Sequence, residues 1–332
     1  MSVEVIVPGR FIEPSDPVGL QLGLEGWFTL EAVRNGRVVR SHTFKENGGL
    51  AQVGPFQNLI LNLGLDKFAS ENQSTMIRFF KVGTGTAPPA VTNTQLANQV
   101  GGNVAANGAV SNPGAPPDYH SRMICTGLSS IGQFGTVNLT EVGIGATGNA
   151  TLFSRALIVD SVGSPVAFPI SSEEQLRLSY ELRLYPPLAD ANFTVNVAGT
   201  RNVVVRALGV SNYSSWGVLP PQGSVGSVNA QPSDAVSNLF RTGDLGLITA
   251  SAPQGSAVSS AGSSLAVTPY STGSYKLAHR QSWPSTSNNS PTLRTHEVRY
   301  GCCAFQVQYD PPLAKTSDQT MYLDYELSWA RR

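Results

Sequence analysis

Apolar and polar residues alternate with a period of two in several stretches, the pattern of a strand with one buried and one wet face. In the run ending at Tyr185, Leu176, Leu178, Tyr180, Leu182 and Leu184 fall on one side. Arg177, Ser179, Glu181 and Arg183 fall on the other, and Pro186-Pro187 ends the run. The last stretch repeats the pattern with Met321, Leu323, Tyr325, Leu327 and Trp329. Two alternating runs, Trp27–Val33 and Arg37–Phe44, flank Asn35-Gly36. Asn-Gly suits a type I′ hairpin turn, which needs positive φ at both central positions. A strand is expected over Met76–Val82. A second hairpin joins Phe193–Val197 to Val203–Val210 through Ala198–Asn202.

One segment has helical spacing. Phe56, Ile60, Leu61, Leu65 and Phe68 recur on one face, with Pro55 just inside the start. They predict a single short helix over about 55–69, with Gly64 lowering its propensity. The expected fold class is all-β: antiparallel β-sandwich-like domains with long Gly/Pro/Ser-rich loops and one short helix.

The expected division is an N-terminal extension (1–26), a β-sandwich-like domain with the helix (27–190) and a second, loop-rich β domain (191–332). Residues 83–120 lack an apolar period and read as a long arm. Ordering it costs about 1–2 kcal/mol per residue, so it is expected to order against a partner. Residues 211–290 read as loops with apolar islands. Tyr-Glu-Leu recurs at 180–182 and 325–327, and "TEVGIG" (140–145) resembles "THEVRYG" (295–301). An internal duplication of one β-domain is expected, with chance likeness of short strands as the alternative.

Composition narrows function. The 332 residues carry 22 basic and 22 acidic side chains, and charged residues make up 13%. Without a basic excess, nucleic-acid binding is not expected. No basic n-region with an apolar core opens the sequence, so no signal peptide is expected. No apolar run is long enough for a membrane span. Three cysteines, two of them the vicinal Cys302-Cys303, make no disulfide framework and suggest synthesis in a reducing compartment. Of the pair, one is expected in the core and one at the surface.

Candidate chemistry is sparse. Gly143, Gly145 and Gly148 spell GxGxxG, but the seven residues Asn149–Arg155 are too short for a crossover helix. The expected structure is a hairpin of Thr136–Ile144 and Thr151–Asp160. No GxSxG elbow and no zinc-ligand spacing occur, and His42, His120, His279 and His296 sit in separate segments. The acids Asp160, Glu173, Glu174 and Asp244 show no glycosidase pairing. No catalytic residue, cofactor or metal is expected, and the protein is read as not an enzyme. Trp216 and Trp283, in Ser/Pro-rich segments, are the candidate interface or receptor contacts. Arg331-Arg332 read as solvated charges.

The order of segments adds a resemblance. The first hairpin leads to "FQNLILNLGLDKF", "FFKVGTGTAPPAVTNTQL", "LTEVGIG", "LFSRALI" and "EEQLRLSYELRLYPP". This succession resembles tailed-bacteriophage virion proteins of the tail-fibre, collar and minor tail group. It covers residues 27–216 well and the C-terminal strands weakly. The resemblance implies a structural, homo-oligomeric virion component of tail, collar or neck, baseplate or fibre. Its partners would be copies of itself and other virion proteins, assembled in the bacterial cytoplasm without membrane insertion. The alternative is a tail-fibre adhesin recognising a host surface glycan or protein. No active-site residue carries over, and the long loops inherit no role.

Overall fold

The computed structural model describes residues 10–12, 16–44, 52–53, 55–70, 76–111, 119–146, 151–160, 162–210, 237–258, 264–285, 290–300 and 303–332. Among the described residues the chain is mostly β with one short helix. A first group of strands is β1 (Arg10–Ile12), β2 (Val18–Arg34), β3 (Arg37–Ser41), β4 (Thr43–Phe44), β5 (Gln52–Val53), β6 (Phe56–Gln57) and β7 (Leu59–Ile60), followed by helix α1 (Asn62–Ser70). Next come β8 (Phe79–Gly83), β9 (Gln99–Ala105), β10 (Asn107–Ser111), β11 (Ser121–Leu128), β12 (Val137–Leu139), β13 (Glu141–Gly145), β14 (Leu152–Leu157), β15 (Phe168–Ile170) and β16 (Gln175–Tyr185). The remainder are β17 (Ala191–Asn196), β18 (Thr200–Ala207), β19 (Ser237–Arg241), β20 (Ala257–Val258), β21 (Ser264–Val267), β22 (Lys276–Trp283), β23 (Ser290–Arg299), β24 (Ala304–Lys315) and β25 (Gln319–Arg331).

The central layer is a 10-stranded sheet whose main path runs β10-β11-β16-β2-β25-β22-β21. Two further sheets, β7-β14-β13-β8-β9 and β17-β18-β24-β23-β19-β20, contribute to the same hydrophobic core. The alternation seen in sequence sets the faces. Leu176, Leu178, Tyr180 and Leu182 of β16 are buried, as are Met321, Leu323, Tyr325, Leu327 and Trp329 of β25. Each fully buried large apolar side chain contributes about 1.5–3 kcal/mol. The Asn35-Gly36 turn has φ of 52° and 74°, as the hairpin requires.

The sheets describe a duplication strand by strand. In the first half β7-β14-β13-β8-β9 form one antiparallel sheet and β10-β11-β16 a second antiparallel set. In the second half β18-β24-β23-β19-β20 and β21-β22-β25 repeat both orders in the same chain sequence. β16 runs antiparallel to β2 and β25 parallel to it. The two matching strands thus run oppositely on either side of β2.

Several expectations change. Residues 18–26 are no extension: they open the 17-residue strand β2, and Val18, Leu20, Leu22 and Leu24 are buried. Gly19 and Gly23 on the outward face and Gly26 on the buried face mask this alternation in sequence. The boundary near 190 separates two repeats but not two cores, because β2 joins β16 and β25 in one sheet. The helix begins at Asn62 instead of about 55. Phe56 and Ile60 are extended instead, pairing with Phe28 and Ser154. A Cβ on helical Gly64 would lie 2.2 Å from the Phe153 carbonyl oxygen, so glycine lets α1 approach β14. The arm is not structureless: β9 and β10 lie within it, and the segment from Thr84 to Asn98 is an ordered loop. The span 211–290 likewise contains β19–β22.

Candidate binding groove

An open groove of about 750 Å³ lies where β2, β16, β22 and β25 converge. Its floor is the paired backbone of β2 and β25, with Gln21, Leu22 and Gly23 opposite Ser328, Trp329 and Ala330. Tyr185, Pro186, Pro187 and Leu188 form one wall, Ser274, Tyr275 and Lys276 another, and Tyr119 and Arg331-Arg332 complete the lining. The size falls within the range of small-ligand sites, about 300–1,000 Å³.

Its charged groups are held in place. The Arg332 guanidinium lies 3.9 Å from the centroid of the Tyr185 ring. The Tyr185 hydroxyl donates to Glu25 Oε2 at 2.8 Å, and burial raises its pKa. Lys276 Nζ pairs with Glu326 Oε2 at 2.9 Å on the rim. Arg331 donates through Nη2 to Asn62 Oδ1 at 2.6 Å and through Nε to the Ile60 carbonyl. The Trp329 indole N–H donates to Leu65 O at 2.9 Å, which fixes that ring in the floor. Tyr275 adopts a φ of +51°, a conformation a non-glycine residue occupies only at a cost.

Buried polar clusters are the other places where chemistry could reside. All four histidines are buried. The fold brings His279 and His296 to either side of Tyr325, with ring centroids 5.2 and 5.4 Å away. His296 Nδ1 hydrogen-bonds the Tyr325 hydroxyl, which lies 3.1 Å from that of Tyr309. Burial lowers the pKa of His279 to about 4 and that of His296 to about 3. His42 is lowered by burial too, partly offset by its bond to Val159 O and by Asp160. This cluster faces the core.

The second cluster clamps a loop. Glu141 and Arg155 form an ion pair of 2.8 Å, exposed by only 0% and 2%. Glu141 also accepts hydrogen bonds from the backbone N–H groups of Gly85, Ala97 and Asn98 at 3.0, 3.0 and 2.7 Å. Arg155 donates to Asn93 Oδ1 and Ala87 O at 2.6 and 2.8 Å. The matching loop of the second half is held differently. There Gln306 and Gln308 accept from the N–H groups of Gly246 and Leu245 at 2.7 and 3.0 Å.

The structure redistributes the expected site residues. Trp283 is corrected from an exposed loop contact to a core residue. It ends β22, is 0% exposed, and packs against Phe240 and His296 at 5.0 and 5.1 Å. Trp216, Gly148 and Cys302 lie outside the described residues; Cys303 is buried. Gly143 and Gly145 lie within β13, paired antiparallel with β14, so the hairpin stands in place of a nucleotide loop. The acids are dispersed: Glu174 bonds Arg34 and Arg40, Asp244 bonds Arg294, and Asp160 accepts from Val162 and Ser164 N–H groups. Among the described residues no cluster of three or more potential metal ligands occurs, and no helix is long and apolar enough to cross a membrane. Arg331 and Arg332 line the groove as well as meeting solvent. Tyr119, Tyr275 and Lys276 carried no sequence signal, because only the fold brings them together. No protein-family model, no curated protein and no solved structure matches the chain.

Proposed function

We propose that this protein is a non-enzymatic structural component of a tailed-phage virion, in the tail, collar, baseplate or fibre. In that role it packs against copies of itself and other virion proteins. The observation that carries the non-catalytic part is where the reactive side chains lie. His42, His120, His279 and His296 are buried, Glu141 is bonded inside the core, and the groove lining holds no acidic, histidine or cysteine side chain. The ordered succession of segments resembling phage virion proteins supplies the virion part. The loop from Thr84 to Asn98 is clamped within its own chain, so it lends no support to an arm that orders only on assembly. Quantitative mass spectrometry of purified particles tests the proposal. A fixed, stoichiometric copy number is expected; trace, variable amounts would overturn it.

A second reading, a receptor-binding component, is favoured by the aromatic and basic lining of the groove.

A further inference from the structure

We propose that the groove between β16, β22 and the β2–β25 pair binds a carboxylated saccharide. The charge of the lining decides the sign of the ligand. The charged side chains among the 16 lining residues are Lys276, Arg331 and Arg332; Lys276 is paired with Glu326 on the rim, so the local excess rests on the two arginines. That excess is local, because basic and acidic residues number 22 each over the whole chain. Arg331 donates to two neutral oxygens, the Ile60 carbonyl and Asn62 Oδ1. Among the described residues no carboxylate is bonded to it. Guanidinium groups hydrogen-bond planar carboxylates; Arg331 already gives Nε and Nη2 to Ile60 and Asn62, so Arg332 is the residue placed to offer its fork.

Ring surfaces decide the class. Tyr119 and Tyr275 are half-buried, and Tyr185 and Pro187 share the lining with them. Such surfaces pack against the apolar faces of pyranose rings while hydroxyls reach Ser274, Ser328 and Gln21 on the lining. Tyr275 keeps its left-handed backbone (φ +51°), and strain of this kind collects at functional positions. An extended peptide fits less well. Peptides that add to a sheet need a free edge, and both backbones of this floor are already paired. A nucleic acid fits less well too, since three cations in a neutral chain offer few phosphate contacts.

The chemistry of the site does not depend on the receptor-binding reading; only the source of the saccharide, a host surface, rests on it. Isothermal titration of the purified full chain uses trigalacturonate, an α2,8-linked sialic acid trimer, trigalacturonate methyl ester, hexaglutamate and oligothymidylate. At least one acidic trimer is expected to bind. For trigalacturonate the neutral ester should be about tenfold weaker or more, as the loss of a charge-assisted contact implies. Arg332→Gln and Tyr275→Ala should weaken the bound trimer similarly. Arg332 is exposed, so Arg332→Gln should leave the melting temperature unchanged. Binding of neither acidic trimer, equal binding of trigalacturonate and its ester, wild-type binding by both variants, or tighter binding of hexaglutamate or oligothymidylate overturns the proposal. Adsorption of particles carrying Arg332→Gln separates the two claims. Normal adsorption alongside weakened saccharide binding leaves the site standing and removes the receptor reading.

Discussion

Tyr180 and Tyr325 stand on opposite sides of a single strand: Tyr180 pairs with Phe28 and Tyr325 with Val18, both in β2. Each belongs to a Tyr-Glu-Leu triplet, each is 0% exposed, and each sits on the third strand of its repeat's antiparallel set. On the neighbouring strand Tyr180 faces Cys125 and Tyr325 faces His279. The duplicated position thus carries different chemistry in each half.

Removing the Tyr325 hydroxyl isolates two buried partners, His296 Nδ1 and the Tyr309 hydroxyl. Tyr325→Phe is expected to destabilise by about 1–3 kcal/mol. Urea denaturation measures this, and an unchanged midpoint would show that the cluster contributes nothing.

Glu141→Ala leaves Arg155 charged inside the core and releases three backbone N–H groups of the clamped loop. The expected loss is about 3–5 kcal/mol. Limited proteolysis should cut the variant between Thr84 and Asn98 while the wild type resists there. Equal resistance would mean the loop is held by other contacts.

Acid should destabilise the fold through the buried His279 and His296. His279 and His296 have folded pKa values of about 4 and 3, below the ordinary 6.5. Below pH 6.5 the unfolded chain therefore binds more protons. Stability is full above that pH and falls as pH drops towards 4. At pH 5 each histidine removes about 2 kcal/mol relative to neutral pH. Denaturant midpoints from pH 7.5 to 5 should decline in the wild type and decline less in His296→Gln. Parallel curves would contradict the assignment.

Lys81 is 1% exposed, and its Nζ has no hydrogen-bond partner among the described residues. Burial lowers its pKa. Lys81→Met keeps the length of the side chain and removes an uncompensated buried amine, so it should stabilise by about 1–3 kcal/mol at neutral pH. Because the amine is neutral at high pH, the gain should shrink as pH approaches 10.5. Destabilisation by Lys81→Met would reveal a partner for the amine.

Strand periodicity made β16, β25 and the Asn35-Gly36 hairpin legible, because side chains there answer only to which face is buried. The recurring Tyr-Glu-Leu marked the duplication, although the matched order of the strands appears only in the folded chain. Residues 18–26 carry no clean alternation because Gly19 and Gly23 dilute the outward face of β2 and Gly26 interrupts its buried face. The helix start was misplaced because Phe56 and Ile60 satisfy helical spacing while pairing with Phe28 and Ser154. The groove was invisible: Tyr119, Tyr185, Tyr275 and Arg332 are far apart in sequence, and their meeting depends on β2 lying between β16 and β25. Trp283 was misplaced because its Ser/Pro-rich surroundings hid the end of β22.

Cryo-electron microscopy of purified phage particles tests the assignment of this chain to the virion most directly. Density is expected at a fixed position in the tail, collar, baseplate or fibre that accommodates the duplicated sandwich, with the β2–β25 layer central to each copy. Particles whose maps account for every ordered density without this chain, while the protein remains in the soluble fraction of the lysate, would contradict it.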